Sequence, residues 1–412
     1  MSERKKVLVQ INSLGLGGTE INAADLAAAV SAHGYESIII APRDTRRPGP
    51  SLLDIAQARG VEIELYDRPQ STLAGAWDLR SIANRHCADL VHVYGSWSSR
   101  PAFWGPCLLG RRPLVKTVYE MKVNADTVAS GPELIIGTGY HLANIKGRRG
   151  GVHFLAPPVD LTQDDSGAVD PAAFMSHWGI DADQHRIVIV SRLEKELKAT
   201  SINYAILAAD ILAPTGVQLI IVGGGECEAV FRQAAAEVNA RHGRSVVHMT
   251  GPLSDPRAAY ACASIVIGMG GSAARGLAFG KPLVVSGEFG WFRIFDRDNG
   301  PGLFSNGFWH PTASADPLNE LTEALRSLLA SQSLRDELGA FGRDFARQNF
   351  GLEEIALKLA NVYSTALESY GARRWWADIS LETGFLWRRI TGRRGYRPLF
   401  LHEQSSGAGT QT

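Results

Sequence analysis

Cysteine is scarce in this chain: Cys87, Cys107, Cys227 and Cys262 are the four among 412 residues. They are scattered, with no CxxC pair and no histidine at zinc-ligand spacing, which excludes a disulfide scaffold and a zinc module. Each lies in a segment rich in Ala, Leu or Val, so all four are expected as buried, reduced thiols of a cytosolic protein. An excess of charge of one sign is also missing, because 42 Lys and Arg balance 42 Asp and Glu. A general nucleic-acid binder draws its affinity from a basic field, so nucleic acid is not an expected partner. Small anions are different, since two or three placed cations suffice to hold one. Long hydrophobic runs are absent as well. The apolar run 7–11 is far too short for a signal-peptide core or a membrane span of ~20 residues, and no later stretch qualifies. The expected location is the cytoplasm.

What is present is a chain that can bury substantial cores, with 45% hydrophobic and 20% charged residues. At roughly 100–200 residues per domain its length predicts two domains or three. Short β-branched runs alternate with Ala/Leu-rich helical stretches, the signature of parallel α/β sheets. Strands are predicted at 7–12, 37–41, 61–65, 90–94, 114–119 and 134–137, with helices at 21–33, 51–59 and 79–87. The polar, acidic stretch 161–170 reads as a linker. A second series follows, with strands at 186–191, 217–222, 245–250, 264–267 and 283–286. Helices are predicted at 201–212, 226–240 and 273–279, and two or three more across 316–370. The end of the chain changes character: Trp375, Trp376 and Trp387 stand among seven arginines between 371 and 398. The last residues, 404–412, read as a disordered tail.

Two motifs carry chemistry. Ser13-Leu14-Gly15-Leu16-Gly17-Gly18-Thr19-Glu20 follows the first strand and opens the first helix. Glycines there let a ligand approach the backbone, and a helix N-terminus offers free N–H groups to an anion. The dinucleotide fingerprint needs a third glycine and an acid ending the second strand, and both are missing; no P-loop occurs either. A tight turn without a ligand is the alternative reading. The second motif is Arg192 after the first strand of the second half, with Lys198 at the start of the next helix. At the carboxyl end of a parallel sheet this pair suits a diphosphate, Arg forking onto oxygens and Lys acting as a point charge. At ~4 Å and an effective dielectric of ~20, each contact is worth about 4 kcal/mol before desolvation. The alternative is a solvated charge run, which fits Glu194, Lys195 and Glu196 well.

In order along the chain stand Gly17-Gly18-Thr19-Glu20, Pro157-Pro158-Val159-Asp160, Arg192 with Lys198, and Leu219-Ile220-Ile221-Val222-Gly223-Gly224-Gly225. Thr250-Gly251-Pro252-Leu253 and Ala278-Phe279-Gly280-Lys281-Pro282 follow. Together they resemble glycosyltransferase family 4, a retaining group that uses nucleotide sugars. The resemblance implies an α/β chain with the GT-B fold: two doubly wound Rossmann-like domains facing a central cleft. It divides the chain into an acceptor-side domain at 1–160, the linker 161–170, a donor-side domain at 171–370, and a segment 371–403 packing back towards the first domain. Arg192 and Lys198 would hold the donor diphosphate, and Gly17 and Gly18 would approach the same phosphates. Leu253 would lie in the turn under the nucleobase, with Gly223 and Gly225 lining the nucleoside floor. The fold implies no cofactor and no metal ion; the nucleoside-diphosphate sugar is a substrate.

Two departures from the family pattern stand out. The family's paired glutamates, eight positions apart, are replaced by Gly268-Met269-Gly270-Gly271-Ser272-Ala273-Ala274-Arg275. Gly271 and Ser272 open a helix there as a candidate anion or hydroxyl site. Arg275 would touch phosphate or sugar, or pair with a neighbouring acid. Glu288 is a candidate carboxylate for the donor sugar. After the fifth strand, where many members carry Thr-x-His, the chain reads Thr117-Val118-Tyr119-Glu120. Tyr119 takes the histidine's place, and Glu120 would bind a sugar hydroxyl or orient the acceptor. Thr19, Ser96 and Trp97 complete the acceptor candidates, while His92 alternates inward and reads as core. The expected reaction is retaining transfer to a small soluble acceptor. A degenerate protein that binds without turnover, a membrane-surface transferase acting on a lipid, and an epimerase on the same fold are the alternatives. The Arg/Trp segment has three readings: packing of Trp375 and Trp376 on the first domain, a membrane-touching basic helix, or a loose tail.

Overall fold

The computed structural model describes residues 4–45, 51–95, 97–120, 123–145, 147–196, 198–391 and 398–400. The chain forms two compact units, one from 1–156 and 354–412, the other from 157–353.

Unit 1 is built on seven strands: β1 (Lys5–Gln10), β2 (Tyr35–Pro42), β3 (Ile63–Tyr66), β4 (Leu90–Tyr94), β5 (Leu114–Val118), β6 (Glu133–Ile136) and β7 (Val152–Phe154). Their order is β3-β2-β1-β4-β5-β6-β7, and every pair is parallel. Val7, Leu8, Leu90, Val93 and Val115 are fully buried, as central strands covered on both faces require. The strand order reverses between β1 and β4. Loops leaving those two strands at their carboxyl ends splay apart and leave the crevice in which open α/β sheets take ligands.

Unit 2 repeats the plan with β8 (His185–Val190), β9 (Val217–Val222), β10 (Val247–Gly251), β11 (Ile265–Gly268), β12 (Leu283–Ser286) and β13 (Phe292–Ile294). The order is β10-β9-β8-β11-β12-β13, parallel except for the antiparallel edge pair β12–β13. Its core gathers Ile187, Leu219, Ile221, Ile265 and Val284 under Ile202, Ile206, Leu321 and Leu325 of the covering helices. Here the reversal lies between β8 and β11.

Several expectations change. The stretch 161–170 is fastened to unit 2 rather than loose: Arg275 Nε donates to Asp164 at 2.8 Å, Arg343 pairs with Asp165, and Ser166 Oγ donates to the Phe279 carbonyl. Most of the helix Leu352–Ser369 belongs to unit 1, not to the second half. There Tyr35 Oη donates to the Ala360 carbonyl, and Tyr363 Oη lies 2.7 Å from His92 Nδ1. His92 is indeed core, its other nitrogen 2.7 Å from Thr117 Oγ1, and burial pushes its pKa down to about 3. Cys107 and Cys262 are buried, but Cys227 is half-buried and Cys87 is exposed in a turn with φ of 52°. β7 and β13, three residues each, were not foreseen.

The segment from 371 onwards folds as the helix Ala372–Ile390 on unit 1. Trp375 Nε1 donates to the Leu108 carbonyl, and Arg111 stacks on the Trp375 ring at 4.6 Å. Arg374 pairs with Glu133, and Arg100 pairs with Glu382. Trp376, expected beside Trp375 in the packing, is 65% exposed instead. The tail 404–412 lies outside the described residues.

Candidate functional site

The unit 2 half of the site begins at the end of β8. Leu193 is fully buried and anchors the loop, so Arg192 beside it is thrown outward with 62% of its side chain exposed. Two glycines hold this loop from the next strand. Gly223, at φ of 142°, passes so close to the Ser191 carbonyl that no Cβ fits, and Gly225, at φ of 155°, abuts the Leu193 carbonyl. Backbone bonds complete the fastening, Ser191 N to the Val222 carbonyl and Leu193 N to the Gly224 carbonyl, both at 2.9 Å. These glycines therefore shape the Arg192 loop, whatever else they touch.

Lys198 caps the helix Ala199–Leu212. It lines a small pocket with Ser191, Ser201, Gly268, Ser272 and Ser286, at the carboxyl ends of β8, β11 and β12. Burial, with Arg192 nearby adding to it, pushes the Lys198 ammonium down to about 8, against the pull of Glu194. A cation held under such strain gains from a multivalent anion more than a solvated lysine does. Arg192 Nη1 rests on Glu194 at 2.9 Å, an exposed pair of little intrinsic strength. Lys195 N donates to Glu226 at 2.8 Å, tying the outer part of this loop to the start of the segment after β9.

Gly271 opens the eight-residue helix Gly271–Ala278, and a side chain added there would meet open space. Ser272 Oγ is engaged by its own loop, accepting from Met269 N at 3.2 Å and donating to the Met269 carbonyl at 3.0 Å. Arg275 is held by the buried Asp164, which realises the acid-pairing reading of this residue. Leu253 is half-buried after Gly251, whose φ is 73°. Glu288 is half-buried in the β12–β13 turn near His310, which stacks on Trp291 at 4.4 Å.

In unit 1, Gly17 caps the helix Gly18–Ala29 without any side-chain cap, and Glu20 folds back onto Gly17. Gly18 is exposed with open space around it, and Thr19 stands half-buried in the first turn. The carboxyl ends of β1, β4 and β5 bring three groups together: a Cβ on Gly95 would strike Asn12 and lie 3.2 Å from Glu120 Oε1. Asn12 is steadied from below by Gln10 and Ser98. Trp97 is 41% exposed and carries Arg68 over its ring at 4.6 Å. Tyr119 points its hydroxyl into protein, where it has no hydrogen-bond partner among the described residues and burial raises its pKa. Ser96 lies outside the described residues. Beneath Glu120, Lys116 is fully buried and pushed down to about 7 by burial, with Glu120 opposing.

Asn12, Arg68 and Lys116 were not foreseen. Asn12 is legible in retrospect as the polar residue two positions past the end of β1, at the strand reversal. Arg68 and Lys116 carry no local sequence signal. Among the described residues, no group of three or more His, Cys, Asp or Glu is placed to hold a metal ion.

Residues 16–126 match the family model described as Glycosyltransferase Family 4, and residues 184–331 match that of Glycosyl transferases group 1. No curated protein matches the sequence. Among solved structures, a glycosyltransferase from Rickettsia africae is 15% identical, with a TM-score of 0.68 over 89% of this chain and 99% of its own. HepE of Anabaena in complex with UDP-glucose is 18% identical, with a TM-score of 0.67 over 87% and 99%. The catalytic domain of starch synthase IV from Arabidopsis thaliana, bound to ADP and acarbose, is 13% identical, with a TM-score of 0.64 over 88% and 100%. The two matched domains, in that order on two parallel α/β units, make this chain a glycosyltransferase of the GT-B fold.

Proposed function

We propose that the chain moves a sugar from a nucleoside-diphosphate sugar to a small-molecule acceptor with retention of configuration. The observation that carries this reading is Lys198, half-buried in a pocket at the strand reversal of unit 2, with Arg192 beside it. Likeness to proteins solved with UDP-glucose or ADP supports a nucleotide donor. On this reading Arg192 and Lys198 receive the diphosphate and stabilise the charge it gains as it leaves. They supply the counter-charge that a metal ion supplies elsewhere. Gly17 and Gly18 present N–H groups, Leu253 supports the base, and Gly271, Ser272 and Glu288 serve the sugar. Arg275 acts through Asp164, holding the helix that carries Ser272.

Transfer proceeds by attack on the same face from which the diphosphate departs. A departing diphosphate oxygen takes the acceptor's proton as the new glycosidic bond forms. Unit 1 then positions the acceptor, with Glu120, Tyr119, Thr19 and Trp97 around its hydroxyls. Glu120 orients the acceptor and is not required as a proton acceptor.

Incubation with UDP-, GDP- and dTDP-sugars and an acceptor panel tests this. Transfer with the donor's anomeric configuration kept, read by NMR of the product, is the expected result. An inverted product removes the mechanism, and tight binding of a sugar nucleotide with no transfer or hydrolysis identifies a degenerate binding protein.

A further inference from the structure

The helix Ala372–Ile390 is amphipathic in an inverted sense. Its buried face carries both of its acids: Glu382 is held by Arg100 and by Trp104 Nε1, and Asp378 is 1% exposed. Phe385 completes that face, under Arg100 at 3.7 Å. The opposite face is open to solvent, and large apolar residues stand on it among Ser380, Thr383 and Gly384. Trp376, Trp387 and Ile390 are 65%, 69% and 79% exposed, and Leu381 and Leu386 flank them. Trp376, Trp387 and Ile390 lie within about 60° of one another around the helix and span about 21 Å at 1.5 Å per residue.

The sequence of this end is basic. Between 371 and 398 the sequence carries seven arginines and two acids, and both acids are the buried pair just described. Arg373 is exposed beside Trp376. Since the whole chain has zero net charge, this end concentrates a local excess of cation. Tryptophan and arginine together suit a boundary that is apolar on one side and anionic on the other. A second copy of this chain would bring Arg373 and an equally basic sequence against its own kind, which disfavours self-pairing through this face. Among the described residues no helix is long and apolar enough to cross a membrane, so the helix would lie in the surface plane.

We propose that the outer face of Ala372–Ile390 docks unit 1 onto an anionic lipid surface, with Trp376, Trp387 and Ile390 entering the headgroup boundary and Arg373 meeting lipid phosphate. This rests on the helix alone and not on the transferase reading. The acceptor can be soluble or lipid-borne without changing it.

Vesicle flotation of the full chain tests the proposal. Phosphatidylcholine vesicles containing phosphatidylglycerol should carry the protein at least tenfold better than pure phosphatidylcholine. The triple variant Trp376→Ser, Trp387→Ser, Ile390→Ser should lose at least tenfold of that binding. Trp77→Ser, which removes a comparably exposed tryptophan from the helix Thr72–Arg85, should keep it. Should the triple variant not fold, brominated lipid gives a second reading. It should quench wild-type tryptophan fluorescence, and quench W376F/W387F far less. Failure of the wild type to float with anionic vesicles overturns the proposal. Equal flotation of the triple variant does so too. A concentration-dependent dimer that the triple variant abolishes, without flotation, assigns the face to a second copy.

Discussion

Lys198 is the residue on which the proposed donor site turns, and its protonation sets a pH limit. With its ammonium pushed down to about 8, the free protein loses the cation as pH rises through that value. The donor kcat/KM should therefore be level below pH 8 and fall about tenfold per unit above it. A profile flat to pH 10 removes Lys198 from donor binding. Gly223 works through the backbone. Gly223→Ala places a methyl group on the Ser191 carbonyl at a φ of 142°, which should cost about 2 kcal/mol or more of stability. It should also raise the donor KM by shifting the Arg192 loop; an unchanged melting temperature and KM would contradict this. Some residues were legible in the sequence because they sit in a local pattern. Arg192 and Lys198 flank a strand end, and Gly17 and Gly18 open a helix. The Arg275–Asp164 pair was not, because it joins positions 111 apart and only the fold brings them together. Lys116, alone in a β-branched run, has the same origin.

At the scale of elements, the strands with strong β-branched runs were readable, and β4, β9 and β12 appear at their expected bounds. β7 and β13 escaped because three residues at a sheet edge carry no periodicity. The helix 372–390 stood among the readings of the Arg/Trp segment, but the face it buries was not legible, because its carboxylates lie inside. Asp378 shows the cost of that arrangement. Burial pushes its carboxyl up to about 6, although Arg374 opposes, and neither oxygen has a partner among the described residues. The folded state thus holds a proton that the unfolded state releases near pH 4. Stability should fall as pH rises from about 4 to 6 and stay lower above. Asp378→Asn should flatten that window and gain about 1 kcal/mol at pH 7, read by denaturant melts. A wild-type stability level across pH 4–6 would contradict it. On the other face of the sheet, Tyr363→Phe removes one partner of His92 and should cost about 1–2 kcal/mol, read by the same melts.

For the whole molecule, two doubly wound units, each reversing strand order beside its first strand, place candidate chemistry at corresponding points of both. That symmetry was visible in the sequence as two alternating series, and the resemblance sent 371–403 back towards the first domain, whereas the return of helix 352–369 to unit 1 was not visible. Helix 352–369 has ordinary amphipathic spacing, and nothing local says that its tyrosine reaches His92 in the first sheet. The proposed acceptor site is a set of converging groups, Asn12, Gly95 and Glu120, while the proposed donor site has a cation with a measurable property. The most direct test is accordingly on the donor side: release of nucleoside diphosphate from a sugar-nucleotide panel by the wild type, Arg192→Ala and Lys198→Ala. The account predicts release by the wild type from at least one donor, reduced at least a hundredfold in either variant with melting temperatures unchanged. Undiminished release by both variants would contradict it.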